Sequence, residues 1–434
     1  MAKLGNTHGL GPCAERLVGS TPTVRTMEKI CPQCGQKTLH HIQNWIEDII
    51  NYLFVPPFFI FLPPKAREYF WKLIEKTFLS IGLLSLRKDF SLADIQLRTF
   101  VFINEAKKQG IDCQVLRGPF GYTNQFQMQI REKSFYFEGL PRAEFLNSQK
   151  SQIIDDKYLV KKYLKKENLP SLEGKAFWWF QKKKALKFAT QLGFPLVVKP
   201  RKGSLSSHIT TDVNDVESLI IAIDKATSYS PTFVIEKFLG PACGRVAGGW
   251  RPQSYVYRAT VVDFNNVFCV QQIPANVVGD GVHTIRELID IKNSDPKRGN
   301  PQQKNTILSK LVINEITENL LETEGYNFST IPQKGEIIYL HKDSFLKLGG
   351  DLVEVTSQVH PDNFQLFRDI AKFFDVRLVG IDFLTKDISQ SWKIQSSAIL
   401  ELNSLPCIEM HHFPSSGQPQ NVAKEILKMV LKYY

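Results

Sequence analysis

Apolar and polar residues alternate along 378–384 and again along 398–403. Successive side chains of a strand point to opposite faces, so Glu401 and Asn403 share one face while Leu400 and Leu402 take the other. Asp382, between Ile381 and Phe383, is placed in the same way. Further strands are expected at 194–198 and 232–238, and at 255–264 and 267–273, the last two joined as a hairpin around Asn265 and Asn266. Residues 125–137 alternate like two strands flanking a turn at Glu132 and Lys133.

Helical spacing takes over elsewhere. It predicts helices over 65–86 (Tyr69, Leu73, Ile74, Phe78, Ile81), 156–167 (Leu159, Val160, Tyr163, Leu164), 182–192 ending at Gly193, 306–324, 361–374 and 420–431. Capping boxes at Asn214-x-x-Glu217 and Thr284-x-x-Glu287 start two more. Strands and helices mixed in this way predict an α+β fold: a small α/β amino-terminal domain at 27–150 and a larger domain at 151–434. Residues 1–26, rich in Gly, Thr and Pro without periodicity, are expected to be disordered.

At 434 residues, with 43% hydrophobic and 22% charged residues, the chain is of ordinary globular composition and long enough for a sizeable core. Seven scattered cysteines do not make a disulfide framework, and no secretory signal pattern opens the sequence, so a cytoplasmic location is the default expectation. The most apolar stretch, 49–62, is shorter than the about 20 residues of a spanning helix and is interrupted by Pro56 and Pro57. No transmembrane segment is expected, and this stretch reads as buried core or a docking surface. A net charge of +11 attracts anions, whether nucleotide phosphates, nucleic acid or an acidic substrate.

If the strands at 378–384 and 398–403 pair, Asp382, Glu401 and Asn403 converge on one side of an apolar sheet. Hard oxygens grouped like this suit Mg²⁺, held by one or two carboxylates plus substrate phosphates. Two amphipathic strands with a solvated acidic face would read the same way. Residues 157–187 carry ten lysines against two acids, which fits a solvated helix face or a lysine rim around a phosphate site. Lys199 ends a strand and is followed by a small polar loop containing Gly203, Ser204 and His208. Strand, lysine and small-residue loop together can cradle phosphates, although the GxxxxGK[ST] order of P-loop enzymes is missing. Cys31-Pro-Gln-Cys34 could place two thiolates on one zinc ion, with His40, His41 or Cys13 completing the set. A reduced pair in a loop is the alternative.

The order and spacing of several short motifs resemble the ATP-grasp superfamily, and most specifically the ATP-grasp module of cyanophycin synthetase, over about 151–434. They are Phe194-Pro-Leu-Val-Val-Lys199-Pro200, Val234-Ile-Glu236-Lys237-Phe238, Ile273-Pro-Ala-Asn-Val-Val-Gly279-Asp280-Gly281, Asp295-Pro-Lys-Arg298-Gly299, Gly349-Gly350-Asp351 through Val355-Thr356 to His360-Pro361, Gly380-Ile381-Asp382, and Glu401-Leu402-Asn403 with Pro406. The resemblance implies a nucleotide clasped between two α+β subdomains. It implies that Lys157 and Lys199 grip ATP, with Gly203 and Ser204 in the phosphate loop, and that Glu236, Lys237, Phe238 and Leu239 form the adenine-reading hinge. Asp382, Glu401 and Asn403 then match the Mg²⁺ ligands. Arg258 matches an arginine near the transferred phosphate, and Arg298 lies in a loop expected to border the acceptor site. The sequence departs from the family in three places. The loop after Lys199 is poor in glycine. Val256 stands where an acidic residue usually precedes the Tyr-Arg pair, beside an apparent insertion at 242–253. Cys407 stands where glycine is usual.

The expectation is therefore an ATP- and Mg²⁺-dependent ligase that activates a carboxylate as an acyl phosphate and joins it to an amine, with small amino-acid or peptide-like substrates. Cyanophycin synthetase carries a second ligase domain, and this chain ends before one could begin, so the resemblance implies a stand-alone enzyme. The alternative is a nucleotide-binding regulatory module with little ligase activity. A nucleic-acid-binding protein is disfavoured, because a paired zinc motif and an aromatic-rich signature are missing. The amino-terminal region, with its apolar run, is expected to pack on the ATP-grasp body or on a second copy of the chain, to complete any zinc site with His40, His41 or another chain's pair, and to be dispensable for nucleotide binding.

Overall fold

The computed structural model describes residues 31, 41–42, 45–46, 49, 77–119, 121–141, 153–201, 208–239, 244–246, 249–252, 254–300, 303 and 305–434. Cys13, Cys34, His40, Gly203, Ser204 and the segments 1–30 and 50–76 lie outside them.

Three antiparallel sheets organise the chain. The first contains β1 (Ser85–Arg87), β2 (Cys113–Gly118), β3 (Gly121–Ile130) and β4 (Lys133–Glu138) in that order, with helix α1 (Leu97–Lys108) between β1 and β2. The expected hairpin is present, with its turn at Arg131 and Glu132, both at positive φ. The helix expected over 65–86 is seen in its last turn, 77–80, and gives way to β1 by Ser85.

The second sheet is small, with β5 (Gly174–Trp178), β6 (Leu196–Pro200), β7 (Thr210–Val213) and β8 (Thr232–Lys237) in the order β5-β8-β6-β7. Helices α3 (Lys182–Leu192) and α4 (Val216–Thr227) cover one face, burying Ala185, Ala189, Leu219 and Ile223 against Leu196, Val198, Phe233 and Ile235. Val197, Lys199 and Glu236 are left on the other face. The cap of α4 is one residue later than the sequence suggests, because Asp215, not Asn214, accepts the N–H of Ser218 at 2.7 Å.

The third sheet contains β9 (Tyr255–Val262), β10 (Asn266–Ile273), β11 (Asp351–Glu354), β12 (Leu378–Thr385) and β13 (Ser397–Asn403) in the order β11-β10-β9-β12-β13. Its β9–β10 turn spans Asp263, Phe264 and Asn265, between the paired Val262 and Asn266, so it begins earlier than expected and leaves Asn266 in β10; Asp263 and Phe264 take φ 49° and 64°. The Asp263 carboxylate is held there by Arg377, Lys432 and Tyr433 from distant parts of the chain. Helices α2 (Lys157–Lys166) and α5 (Pro361–Phe373) bury Val160, Leu164, Phe367 and Ile370 against Ala259, Val261, Ile381 and Phe383. Arg258, Thr260 and Asp382 are left on the opposite face.

At its far end that opposite face is covered by the first sheet and by α6 (Val422–Tyr433). Val262 and Leu378 share one core with Phe102, Phe126, Met128, Ile426, Leu427 and Val430. The division near residue 150 thus separates two sheets and not two cores. A subsidiary lobe pairs Asn276–Val278 with Ile337–Tyr339 and Arg298–Gly299 with Leu308–Ser309. The long helix expected over 306–324 is confined to Glu315–Thr323, where Asn314 caps the N–H of Thr317. Before it, Leu308 and Ser309 are extended and pair with the 298–299 strand. Among the described residues no helix is long and apolar enough to cross a membrane.

Candidate functional site

A cleft separates the small sheet from the third sheet. Val197, Lys199, Glu236, Phe238 and Leu239 line one wall, and Val256, Gln272, Asp382, Leu384, Leu400 and Glu401 line the other, with Lys157 at the junction.

Strands β12 and β13 do pair, and Asp382 lies directly opposite Glu401, so the two carboxylates share one face. Asn403 follows on the same face and its amide nitrogen lies 3.4 Å from Glu401 Oε1. The register shifts after this pair, since Phe383 is opposite Ile399 and Leu400 is left as the extra residue of a β-bulge. Leu400 therefore joins Glu401 in lining the cleft, where strict alternation would turn it away.

Arg258 is opposite Asp382 on the other side, across β9. Its Nε and Nη2 grip the two carboxylate oxygens, the second bond at 2.9 Å, and both residues are buried. Arg258 lies behind Asp382 and is not itself among the lining residues. A Cβ on Gly380 would come within 3.4 Å of the Arg258 side chain and 3.0 Å of Pro406, so the glycine leaves room for the guanidinium. Burial raises the Asp382 carboxyl above its ordinary range, and Arg258 only partly offsets this. Burial acts on Glu401 too, but the ammonium groups of Lys157 and Lys199 outweigh it and hold that carboxyl low.

Lys157 reaches to 3.5 Å from Glu401. Two adjacent acids fix its position. Asp155 accepts the N–H and hydroxyl of Ser404, just beyond β13, at 3.0 and 2.7 Å. Asp156 caps α2 through the N–H groups of Tyr158 and Leu159 and accepts a two-pronged hydrogen bond from Arg201, at the end of β6. The start of α2 is thereby tied to both walls of the cleft.

On the small sheet, the Glu236 carboxylate is shared between Lys199, at 2.9 Å, and Lys161. Burial pushes the Lys161 ammonium down to about 7 while Glu236 opposes the shift. Burial acts likewise on Lys199, but Glu236 and Glu401 prevail and raise it. Lys237 points elsewhere, donating to the carbonyls of Gly193 and Phe194 at 3.0 and 2.9 Å. Arg298 is also outside the cleft lining. Its guanidinium pairs with Asp351 and donates to the carbonyls of Ser309 and Gly349 at 2.7 and 3.0 Å.

Three residues at this site were missed by sequence reasoning. Lys161 is four residues from Lys157, one helical turn along the same face, a spacing that was legible. Gln272 sits on β10 facing the cleft. Asp343, in the cleft wall, accepts the Thr211 hydroxyl at 2.8 Å, and burial raises its carboxyl. It comes from the separate lobe, and no local pattern marks it.

No protein-family model matches the chain. In sequence it is 30% identical over 349 residues to a cyanophycin synthetase of Trichormus variabilis, covering 80% of this chain and 36% of that protein. It is 35% identical over 240 residues to one of Synechocystis sp., covering 55% and 26%. The chain thus spans about a third of the length of these relatives, or less. In structure it is similar to a bifunctional glutathione synthetase from Pasteurella multocida, with a TM-score of 0.57 and 24% identity over 79% of this chain and 44% of that one. The chain thus has the ATP-grasp fold, and in sequence it is similar to the cyanophycin synthetases.

Proposed function

We propose that the chain is an ATP- and Mg²⁺-dependent ligase that activates a carboxylate as an acyl phosphate and joins it to an amine. The observation that carries this reading is the placement of Asp382 opposite Glu401, backed by Arg258 and facing Lys157 and Lys199 across one cleft. Lys157 and Lys199 would hold the phosphates of the nucleotide. The Phe238 and Leu239 wall would take the adenine ring, with the backbone of Lys237 to Leu239 available to its edge. Glu236, shared between two lysines, balances their charge so that they can be packed together before the nucleotide enters.

The residues present fit Mg²⁺. Asp382 and Glu401 supply hard oxygens at one point, and burial raises the Asp382 carboxyl more than Arg258 lowers it, so a further cation there would favour its ionised form. Bound there, Mg²⁺ would orient the phosphates and neutralise their charge. Arg258 keeps the Asp382 carboxylate aimed into the cleft and supplies positive charge behind it. Arg298 fixes the backbone around Gly349 and Ser309, and so the shape of the lobe bordering the acceptor side.

The test is ADP release by the full chain with Mg-ATP and a panel of amino acids and small peptides. ADP release should depend on an acid and an amine together, and Asp382→Asn and Glu401→Gln should each abolish it without unfolding the protein. Turnover retained in both variants would overturn the metal assignment. Tight Mg-ATP binding with no ADP release across the panel would favour the regulatory reading instead.

A further inference from the structure

Beyond the cleft, the amino-terminal segment meets the small sheet at a cluster that the ligase reading does not use. The Cys31 thiol and the imidazoles of His41 and His208 each offer a ligand atom, all within 4.8 Å of one another. Cys31 Sγ is 3.6 Å from His208 Nε2, although the residues are 177 positions apart. Both histidines are buried, His41 at 7% exposure and His208 at 2%.

We propose that Cys31, His41 and His208 bind a zinc ion that fastens the amino-terminal segment to the small sheet. With Zn–S near 2.3 Å and Zn–N near 2.0–2.1 Å, neighbouring ligands of a tetrahedral zinc lie about 3.3–3.8 Å apart. The Cys31–His208 separation is already in that range, and the widest pair needs a side-chain shift on the order of 1 Å. His208 Nδ1 lies 2.9 Å from the Lys225 carbonyl, which takes the ring proton there and leaves the Nε2 lone pair aimed at Cys31. A backbone carbonyl on the far ring nitrogen is the support that metal-bound histidines ordinarily have.

One thiolate with two imidazoles and no carboxylate suits zinc and not the hard cations of the cleft. The three described donors leave one tetrahedral position. Cys34, expected from the sequence, lies outside the described residues. Around the cluster the segment is already docked, since the Trp45 indole donates to the Thr227 carbonyl at the end of α4 at 3.0 Å. Tyr229 closes the other side, its ring centroid 5.3 Å from His41 and 5.1 Å from His208. His208 lies in the connection from β6, which carries Lys199, to β7.

Metal content of the full chain, equilibrated with ZnCl₂ and freed of excess by gel filtration, is the direct test. About one zinc per chain is expected, falling at least about tenfold in Cys31→Ser and in His208→Gln. Titration of the metal-free chain with CoCl₂ should give a thiolate-to-cobalt charge-transfer band that Cys31→Ser removes. Cys31 is only half-buried, so this variant keeps the test valid should His208→Gln fail to fold. No zinc or cobalt uptake by the full chain, or undiminished uptake in Cys31→Ser, would overturn the proposal.

Discussion

Arg258 and Asp382 stand directly opposite each other on neighbouring strands, and the guanidinium holds both oxygens of a carboxylate that also faces the cleft. Removing one member of such a buried pair costs about 3–5 kcal/mol, because the other is left uncompensated. Arg258→Ala should therefore lower the Tm, whereas Arg258→Lys keeps the charge and loses the two-pronged geometry. With Arg258→Lys, kcat for ADP release should fall about 100- to 1000-fold while the affinity for ATP, measured by calorimetry, changes little. An unchanged kcat would remove Arg258 from the reaction.

The clamp on α2 gives a second expectation. Asp156→Ala removes a helix cap worth about 1 kcal/mol and releases Arg201. Lys157 then loses one of the two ties that place it near Glu401. The KM for ATP should rise about tenfold, equivalent to about 1.4 kcal/mol, with a smaller change in kcat. Asp156→Asn, which can still cap the helix, should show a milder KM effect and a nearly normal Tm.

His412 provides a pH-dependent expectation. Its Nε2 accepts the N–H of Ala423 at the start of α6, and burial pushes its pKa down from 6.5 to about 4, aided by His411. Between these values the unfolded chain binds a proton that the folded one excludes. This group's contribution to stability is thus present above pH 6.5 and is lost as the pH falls towards 4, by at most about 3 kcal/mol. His412→Gln can still accept the Ala423 N–H and does not titrate, so its denaturation midpoint should fall less steeply over that window than that of the unsubstituted chain.

The shared core predicts how the molecule unfolds. Phe126 is fully buried between α1 and the aromatic rings of the first sheet, in the cluster that includes Ile426 and Val430 of α6. Phe126→Ala should cost about 3–5 kcal/mol. It should also lower the midpoint of one common transition when unfolding is followed by circular dichroism and by the loss of Mg-ATP binding. Separate transitions would show that the first sheet melts independently of the cleft.

Much of the candidate site was written in local periodicity. A period of two put Asp382, Glu401 and Asn403 on one face, and a period of 3.6 put Lys157 at the start of a helix whose next turn carries Lys161, because a side chain's direction follows from its own backbone. The tertiary structure decided what depends on distant partners. Leu400 turns into the cleft because β13 accommodates one residue more than β12 across the bulge. The β9–β10 turn begins at Asp263 because Arg377, Lys432 and Tyr433 hold that carboxylate. The first sheet is inseparable from the rest because α6, near the end of the sequence, packs Val422, Ala423, Ile426, Leu427, Met429 and Val430 into its core. His208 meets Cys31 only because the amino-terminal segment docks on α4. In each case a contact between residues far apart in the chain outweighs the local preference, and spacing along the sequence carries no record of such a contact.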